Sequence, residues 1–402
     1  MTTDAAGGSA ARVFLDWNAG APLRAEARAA LLAALDAGGN PSSVHSEGRA
    51  ARRLVEAARR DVAALVGAPA DGVVFTSGGT EANVTALSPH HRLGGRPAGL
   101  TRLLVSAVEH PSVMAGGRFA PQARATVAVD RQGRLDLAAL AAAVEEEAAA
   151  GGRVLLSLMH ANNETGVIEP VAAAAAIVHA AGGLVHVDMV QSAGRLESDA
   201  AALGADLVSL SAHKIGGPKG TGALVAVRGD LDPDPLLTGG GQEFRRRAGT
   251  ESVPLIAAFG AAAQAAAKDR AQNDRLAALR DWLQAQLVLI CDGTVVFSDA
   301  VPRLPGTLCF AVPGVAAERA IIALDLAGVA VSSGSACSSG KVAPSHVLQA
   351  MGVADDLARG AIRVSLGPDT GEADVQRFAE VWRSVATRLM KRGRLAPAAG
   401  QC

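Results

Sequence analysis

Apolar positions along the first two-thirds of the chain alternate between two periods. Residues 47–66 place Ala51, Leu54, Val55, Ala58, Val62 and Leu65 at helical spacing. Short apolar runs at 73–76, 103–105, 153–158, 184–187, 207–210 and 223–227 read instead as strands. They are apolar on both faces, as in a parallel sheet covered on each side. Alanine-rich helical patterns at 135–150 and 171–181 lie between them. This alternation predicts βαβ units in an open α/β sheet, whose ligands sit beyond the carboxyl ends of the strands. A long helical pattern over 255–289 follows, and beyond it the signals are shorter and less regular. A boundary is therefore expected near residue 260. It separates a large domain over residues 15–260 from a smaller α+β domain over 261–402, on which the N-terminal arm, residues 1–14, is expected to pack.

Composition narrows the function classes. Of 402 residues, 49% are apolar, mostly Ala, Val and Leu, which supports a large core and excludes wholesale disorder. The 38 basic and 39 acidic side chains give a formal net charge of −1, aromatics are 3%, and Tyr is absent. A nucleic-acid partner, which would need a basic stripe or stacking platform, is not expected. No strongly apolar run reaches the roughly 18 residues of a membrane span. The start of the chain lacks the basic-then-apolar pattern of a secretory signal. The four cysteines, Cys291, Cys309, Cys337 and Cys402, form no C-x-x-C pair. That pattern fits a reducing compartment and no cysteine zinc site. The expectation is a soluble cytoplasmic protein without a resident metal.

Four stretches carry candidate chemistry. In Thr76-Ser77-Gly78-Gly79-Thr80-Glu81, a buried strand runs through a Gly pair into a helix, where backbone N–H groups and the Thr80 hydroxyl can cradle an anion. The plainer reading is an ordinary turn with Thr80 as N-cap. Asp188 directly follows the strand Val185-His186-Val187, at the sheet's binding edge. A carboxylate there needs a cationic or hydrogen-bonding partner, such as a protonated pyridine nitrogen, unless it merely caps the next helix. Lys214 follows the strand Leu207-Val208-Ser209-Leu210 and precedes a Gly-rich turn, where partial burial favours a nucleophilic amine. Ser211 and His213 flank it and can donate to a phosphate. Lys219, beyond Pro218, reads as a surface charge. Cys337 sits in Ser332-Ser333-Gly334-Ser335-Ala336-Cys337-Ser338-Ser339-Gly340, a loop rather than a packing context, and is a candidate nucleophile. Cys291 and Cys309 lie in apolar runs and read as inert core residues. A lysine amine, a carboxylate for a ring nitrogen and a phosphate cradle together match the needs of pyridoxal phosphate.

In order and spacing these motifs resemble the NifS/IscS-type cysteine desulfurases of the class V aminotransferase fold. The resemblance covers nearly the whole chain, from Leu15-Asp16 to Leu366-Gly367. It includes Gly39-Asn40-Pro41-Ser42-Ser43-Val44-His45, Glu109-His110, Met159-His160-Ala161-Asn162-Asn163-Glu164-Thr165-Gly166, Gly239-Gly240-Gly241-Gln242-Glu243, Gly249-Thr250 and Ile362-Arg363-Val364-Ser365. The resemblance implies a PLP-dependent transferase fold, with a mainly parallel seven-stranded sheet in the large domain. It implies that Lys214 links pyridoxal phosphate as a Schiff base and moves the Cα proton. Asp188 would pair with the pyridinium nitrogen, Gln191 would bond the ring oxygen, and His110 would stack on the ring. Gly79, Thr80, Ser211 and His213 would hold the phosphate, with Thr250 contributed across a homodimer. Asn163 and Arg363 would bind the substrate carboxylate, with Asn40 near the same pocket. Cys337 would take sulfur from L-cysteine as a persulfide, leaving L-alanine. An iron–sulfur scaffold or other sulfur acceptor is the implied partner, and Cys337 could transiently ligate a cluster during transfer.

The chain departs from the family pattern in places. Ala19-Gly20-Ala21-Pro22 stands where Ala-Thr-Thr-Pro is common, Met189-Val190 where Ala-Thr is usual, and Val84 where a second Asn is common. Arg245-Arg246-Arg247 reads as solvated charge. None of these removes a catalytic group. A lyase or transaminase acting on selenocysteine or another amino acid, and a non-catalytic cofactor-binding subunit, are the competing readings. The Cys337 loop argues against the first. Retention of Lys214, Asp188, His110 and Cys337 argues against the second.

Overall fold

The computed structural model describes residues 12–334 and 344–395, the last five by backbone alone. Seven strands build the central sheet: β1 (Val73–Thr76), β2 (Arg102–Ser106), β3 (Arg124–Val127), β4 (Val154–Met159), β5 (Leu184–Asp188), β6 (Leu207–Ser211) and β7 (Gly222–Ala226). Their order across the sheet is β1-β7-β6-β5-β4-β2-β3. All pairings are parallel except those of β7, which runs against both its neighbours. The carboxyl ends of β1, β2, β4, β5 and β6, and the amino end of β7, therefore share one edge of the sheet. The edge strand β3 gave no apolar run in the sequence, because three of its four residues are only partly buried or exposed.

The two-sided apolar strands are covered as expected. In β4, Leu156 faces one cluster with Val55, Val62, Phe75 and Phe259, while its neighbour Leu155 faces another with Leu87, Leu103 and Leu184. The first face is covered by helices that include α1 (Ala25–Ala37), α2 (Ser46–Leu65), α4 (Leu137–Ala149), α5 (Val171–Ala180) and α6 (Val253–Asp269). Helices α2 and α6 cross so closely that a Cβ on Gly260 would lie 2.6 Å from Ala58 Cα, which requires glycine there. Helix α3 (Gly79–Ala86) contributes Ala82 and Ala86 to the other face.

The long helical pattern at 255–289 is two helices. α6 ends at Asp269, a 3₁₀ turn spans Arg270–Gln272, and α7 covers Asn273–Ile290. The break has a packing cause. Ala266 belongs to the sheet's core, whereas Leu276, Leu283 and Leu287 join a second cluster. That cluster lies against an antiparallel sheet of β8 (Val295–Val296), β9 (Thr307–Ala311), β10 (Ser332–Ser333) and β11 (Ile362–Ser365), ordered β8-β9-β11-β10. Trp382, on the helix Glu372–Leu395, fills it and meets Phe310 edge-on at 5.2 Å between ring centroids. The chain start joins the same cluster: Val13–Phe14 pairs in parallel with Val329–Ala330. No helix among the described residues is long and apolar enough to cross a membrane.

Burial sets one pH-dependent term in this fold. Glu169, just ahead of α5, is 4% exposed; Oε2 accepts the Leu135 N–H, and Oε1 has no partner among the described residues. Burial pushes its pKa up to about 8, against the pull of that N–H and Arg134. Its folded pKa therefore exceeds its unfolded one. Below the unfolded value both states keep the proton; above it the unfolded chain gains by releasing a proton the folded chain retains. Wild-type stability should fall relative to Glu169→Gln as pH rises from 5 to 8, by up to about 1.4 kcal/mol per unit. Urea unfolding of both proteins across that range checks this, and a pH-independent difference would contradict it.

Candidate functional site

The strand ends meet in an open cleft of about 550 Å³. Its walls carry Gly79, Thr80, His110, Asn163, Asp188, Gln191, Ser211, His213, Lys214 and Arg363, together with Asn18, Asn83, Ser112, Val190 and Lys219. Each arrives from the end of an element. Thr76 closes β1, and the next residues turn into α3, whose first position has no side-chain cap. Its first N–H groups are thus available to an anion. Asp188 is the last residue of β5, and Ser211 the last of β6, followed by the 3₁₀ turn Ala212–Lys214. Strand β7 passes so close that a Cβ on Gly222 would stand 2.6 Å from the carbonyl carbon of Gly78; only glycine lets β7 begin there.

Lys214 Nζ donates to the backbone carbonyls of Asn18 at 2.6 Å and Ala19 at 3.0 Å. Asp188 is 6% exposed and accepts from Asn83 Nδ2 and the Val190 N–H, both at 2.9 Å. Asn83 Nδ2 also donates to Ser112 Oγ at 2.9 Å, and Ser112 Oγ lies 2.7 Å from His110 Nδ1. The Ser112 N–H points at that same nitrogen at 3.2 Å. Since Nδ1 accepts, a neutral His110 carries its proton on Nε2. Burial, helped by the Lys214 charge and opposed by Asp188, lowers the His110 pKa. His213 falls to about 4 through burial and the charges of Lys214 and Lys219. It is neutral at pH 7, and its Nδ1 has no partner among the described residues.

At the other wall, Arg363 is 2% exposed. It donates to the Asn163 carbonyl and to Asp16 Oδ1, each at 3.0 Å, while its Nε is without a partner among the described residues. Asn18 joins the two walls. Beyond receiving Lys214, its carbonyl accepts from Gln191 Nε2 at 3.0 Å. Its side chain donates to the Asn163 carbonyl and Thr307 Oγ1 and accepts from Arg195 at 2.5 Å.

Two sequence-selected residues lie elsewhere. Asn40 is exposed, its Oδ1 accepting the Ser42 N–H, and Thr250 is exposed; neither lines this chain's cleft. Cys337 lies outside the described residues. Lys219, read as a surface charge, is exposed as expected and also lines the cleft. Met189 is buried in the core on the far side of Asp188, so of the Met189-Val190 departure only Val190 reaches the cleft. Asn18 was missed because no periodicity or motif singles it out. It sits in the turn closed by the Ala19 N–H on the Asp16 carbonyl, where an Asn is unremarkable in sequence.

The residues present suit a phosphorylated pyridine. The cleft offers an uncapped helix start, a neutral His213 free to donate from Nδ1, a buried carboxylate held by neutral donors, and an amine held 2.6 Å from the Asn18 carbonyl. The described cysteines suit no reaction: Cys309 is fully buried with its thiol pKa pushed up, and burial also raises that of Cys291.

A family model described as aminotransferase class-V matches residues 13–378. A cysteine desulfurase of Cereibacter sphaeroides is 42% identical over 384 residues, covering 94% of this chain and 96% of its own. The structure of a NifS-like protein from Rickettsia africae superposes with a TM-score of 0.83 at 31% identity, covering 94% of this chain and 99% of that one. That of SspA in complex with cysteine does so with a TM-score of 0.73 at 25% identity, over 89% and 99%.

The electrostatics of the cleft predict a neutral His110. In ligand-free protein, ¹⁵N-histidine spectra should show the Nε2–H tautomer at pH 7 and a midpoint below the ordinary 6.5. Lys214→Met should move that midpoint up by removing a nearby positive charge. An unshifted midpoint in both proteins would refute this picture.

Proposed function

This chain belongs to the aminotransferase class-V family and acts as a cysteine desulfurase, and on that premise we propose how its residues divide the work. The observation that carries the assignment is the convergence of Lys214, Asp188, His110 and Arg363 on one cleft at the carboxyl edge of the sheet. Pyridoxal phosphate is the cofactor. Gly79, Thr80, Ser211 and His213 at the start of α3 and the end of β6 would hold its phosphate, Asp188 would pair with its ring nitrogen, and Gln191 and His110 would hold the ring. When bound, it supplies an electron sink for the carbon bearing the substrate amine.

The protein supplies the rest. Arg363 and the Asn163 side chain receive the carboxylate of L-cysteine, a planar guanidinium suiting two carboxylate oxygens. Asp16 and the Asn163 carbonyl already fix the orientation of that guanidinium. Lys214 is the amine that holds the cofactor and, once released, moves the Cα proton. The carbonyls of Asn18 and Ala19 keep its Nζ at the floor of the cleft. His110, neutral with a proton on Nε2, can exchange a proton with the substrate thiol. Cys337 receives the sulfur: the C–S bond of L-cysteine breaks, an S–S bond forms at Cys337, and hydrogen replaces sulfur on the departing L-alanine. No outside oxidant or reductant is needed. The persulfide then passes to an acceptor such as an iron–sulfur scaffold. We further propose a cytoplasmic homodimer in which Thr250 completes the partner's site, and a division of the chain at the Arg270–Gln272 turn, some ten residues beyond the expected 260.

Purified protein given L-cysteine should release sulfide, with reductant, and alanine in equal amounts. Cys337→Ala should keep the cofactor's colour and lose desulfuration by about 10²-fold or more. Lys214→Ala should lose the lysine-linked absorbance. Full-rate desulfuration by Cys337→Ala would remove the thiol from the mechanism.

A further inference from the structure

The three arginines at 245–247 behave differently from one another. Arg246 pairs with the exposed Asp232 at 2.9 Å. Arg247 instead reaches Glu81 in the first turn of α3, its Nε 3.0 Å from Oε1 and its Nη2 3.4 Å from Oε2. The same carboxylate accepts the Ser77 N–H at 2.7 Å. Glu81 lines the cleft, with its side chain 10% exposed. Burial works to raise its pKa, but the Arg247 and Ser77 hydrogen bonds prevail and hold it below the ordinary value, so it is ionised at neutral pH. A carboxylate suits a helix N-terminus that binds no anion. In a cradle for a phosphate it is a repelling charge, and it occupies one of the N–H groups at the cradle's entrance.

The segment carrying Arg247 is fastened to the strand that delivers the cradle. Arg59 forks onto Glu243 through two 2.8 Å hydrogen bonds, and Glu243 Oε2 also accepts the Phe75 N–H at 2.8 Å. Phe75 belongs to β1, two residues before Ser77. The Arg59 guanidinium lies 5.1 Å from the ring centres of both Phe75 and Phe244. Glu243, Phe244 and Arg245 all take left-handed φ, at 45°, 58° and 67°. Such strain persists only where surrounding contacts over-determine it. Here they fix the turn that aims Arg247 at Glu81.

We propose that the Glu81–Arg247 pair sets the anion affinity of the cradle: Arg247 neutralises Glu81 and holds it aside, so that both are positioning residues rather than ligands. This rests on the reading of the cradle as the cofactor's phosphate site. The test measures dissociation of pyridoxal phosphate from the holoenzyme, and its equilibrium affinity on reconstitution, for wild type, Glu81→Gln, Arg247→Gln and the double variant. Phosphate-free pyridoxal serves as the comparison ligand. Arg247→Gln should weaken pyridoxal phosphate by about tenfold, Glu81→Gln should tighten it severalfold, and the double variant should return near wild type. Pyridoxal affinity should stay constant throughout. Weaker binding by Glu81→Gln, or a parallel shift for pyridoxal, would make the pair structural and overturn the proposal. Equal pyridoxal phosphate affinity in all four proteins would overturn it while leaving the phosphate reading intact. Wild-type protein that binds pyridoxal phosphate no better than pyridoxal would overturn that reading, and the proposal with it. Should Arg247→Gln fail to fold, Glu81→Gln and the double variant still decide the sign.

Discussion

The cleft depends on one buried side chain and its carbonyl. Asn18 is 1% exposed, and its polar groups link four separate parts of the chain. Its carbonyl takes Lys214 and Gln191, its amide reaches the Asn163 carbonyl and Thr307, and its Oδ1 receives Arg195. Arg195 also donates to the Trp17 and Lys214 carbonyls. The amine wall, built on the large sheet, and the Arg363 wall, built on the smaller one, therefore meet at a single residue of the chain's beginning. A buried network of this kind is costly if left incomplete, so its satisfaction fixes the spacing between the two walls. The amine of Lys214 and the guanidinium of Arg363 are thereby held at a fixed separation across the cleft.

Burial then decides charge. His110 and His213 are neutral because the interior and the nearby lysines disfavour a further cation. Glu109, adjacent to His110 and fully buried, is driven well above the carboxylate range by burial and by Asp188. Two carboxyl groups close together in an interior cannot both ionise cheaply, so the Asp188 carboxylate adds to burial in disfavouring the charged form of Glu109. Glu81 lies at the opposite limit, kept ionised by an arginine from a distant loop. The same side-chain chemistry is thus pushed in opposite directions, up for Glu109 in the interior and down for Glu81 on the cleft wall, according to depth and partner.

The strand-to-motif order was legible because it is local. Buried strands read as apolar runs, and a Gly pair, an Asp or a Lys at a strand end is visible without knowing where the strand sits. The resemblance to the desulfurases used the same local features. The edge strand Arg124–Val127 was invisible because half-exposed positions need no apolar residues. The break at Arg270–Gln272 was invisible because both flanking helices are good helix formers, and only their separate cores require the turn.

The linear order of residues was enough to determine the α/β class, the carboxyl-edge location of Lys214 and Asp188, and the inert character of Cys309. Each follows from periodicity or immediate neighbours. Tertiary structure alone decided that Asn18 joins the two walls, that Arg247 pairs with Glu81 while Arg246 pairs with Asp232, and that Lys219 lines the cleft. These depend on contacts between residues separated by 196 positions for Asn18–Lys214 and 166 for Arg247–Glu81. Such pairings leave no periodic trace, because only the folded sheet brings the partners within hydrogen-bond range.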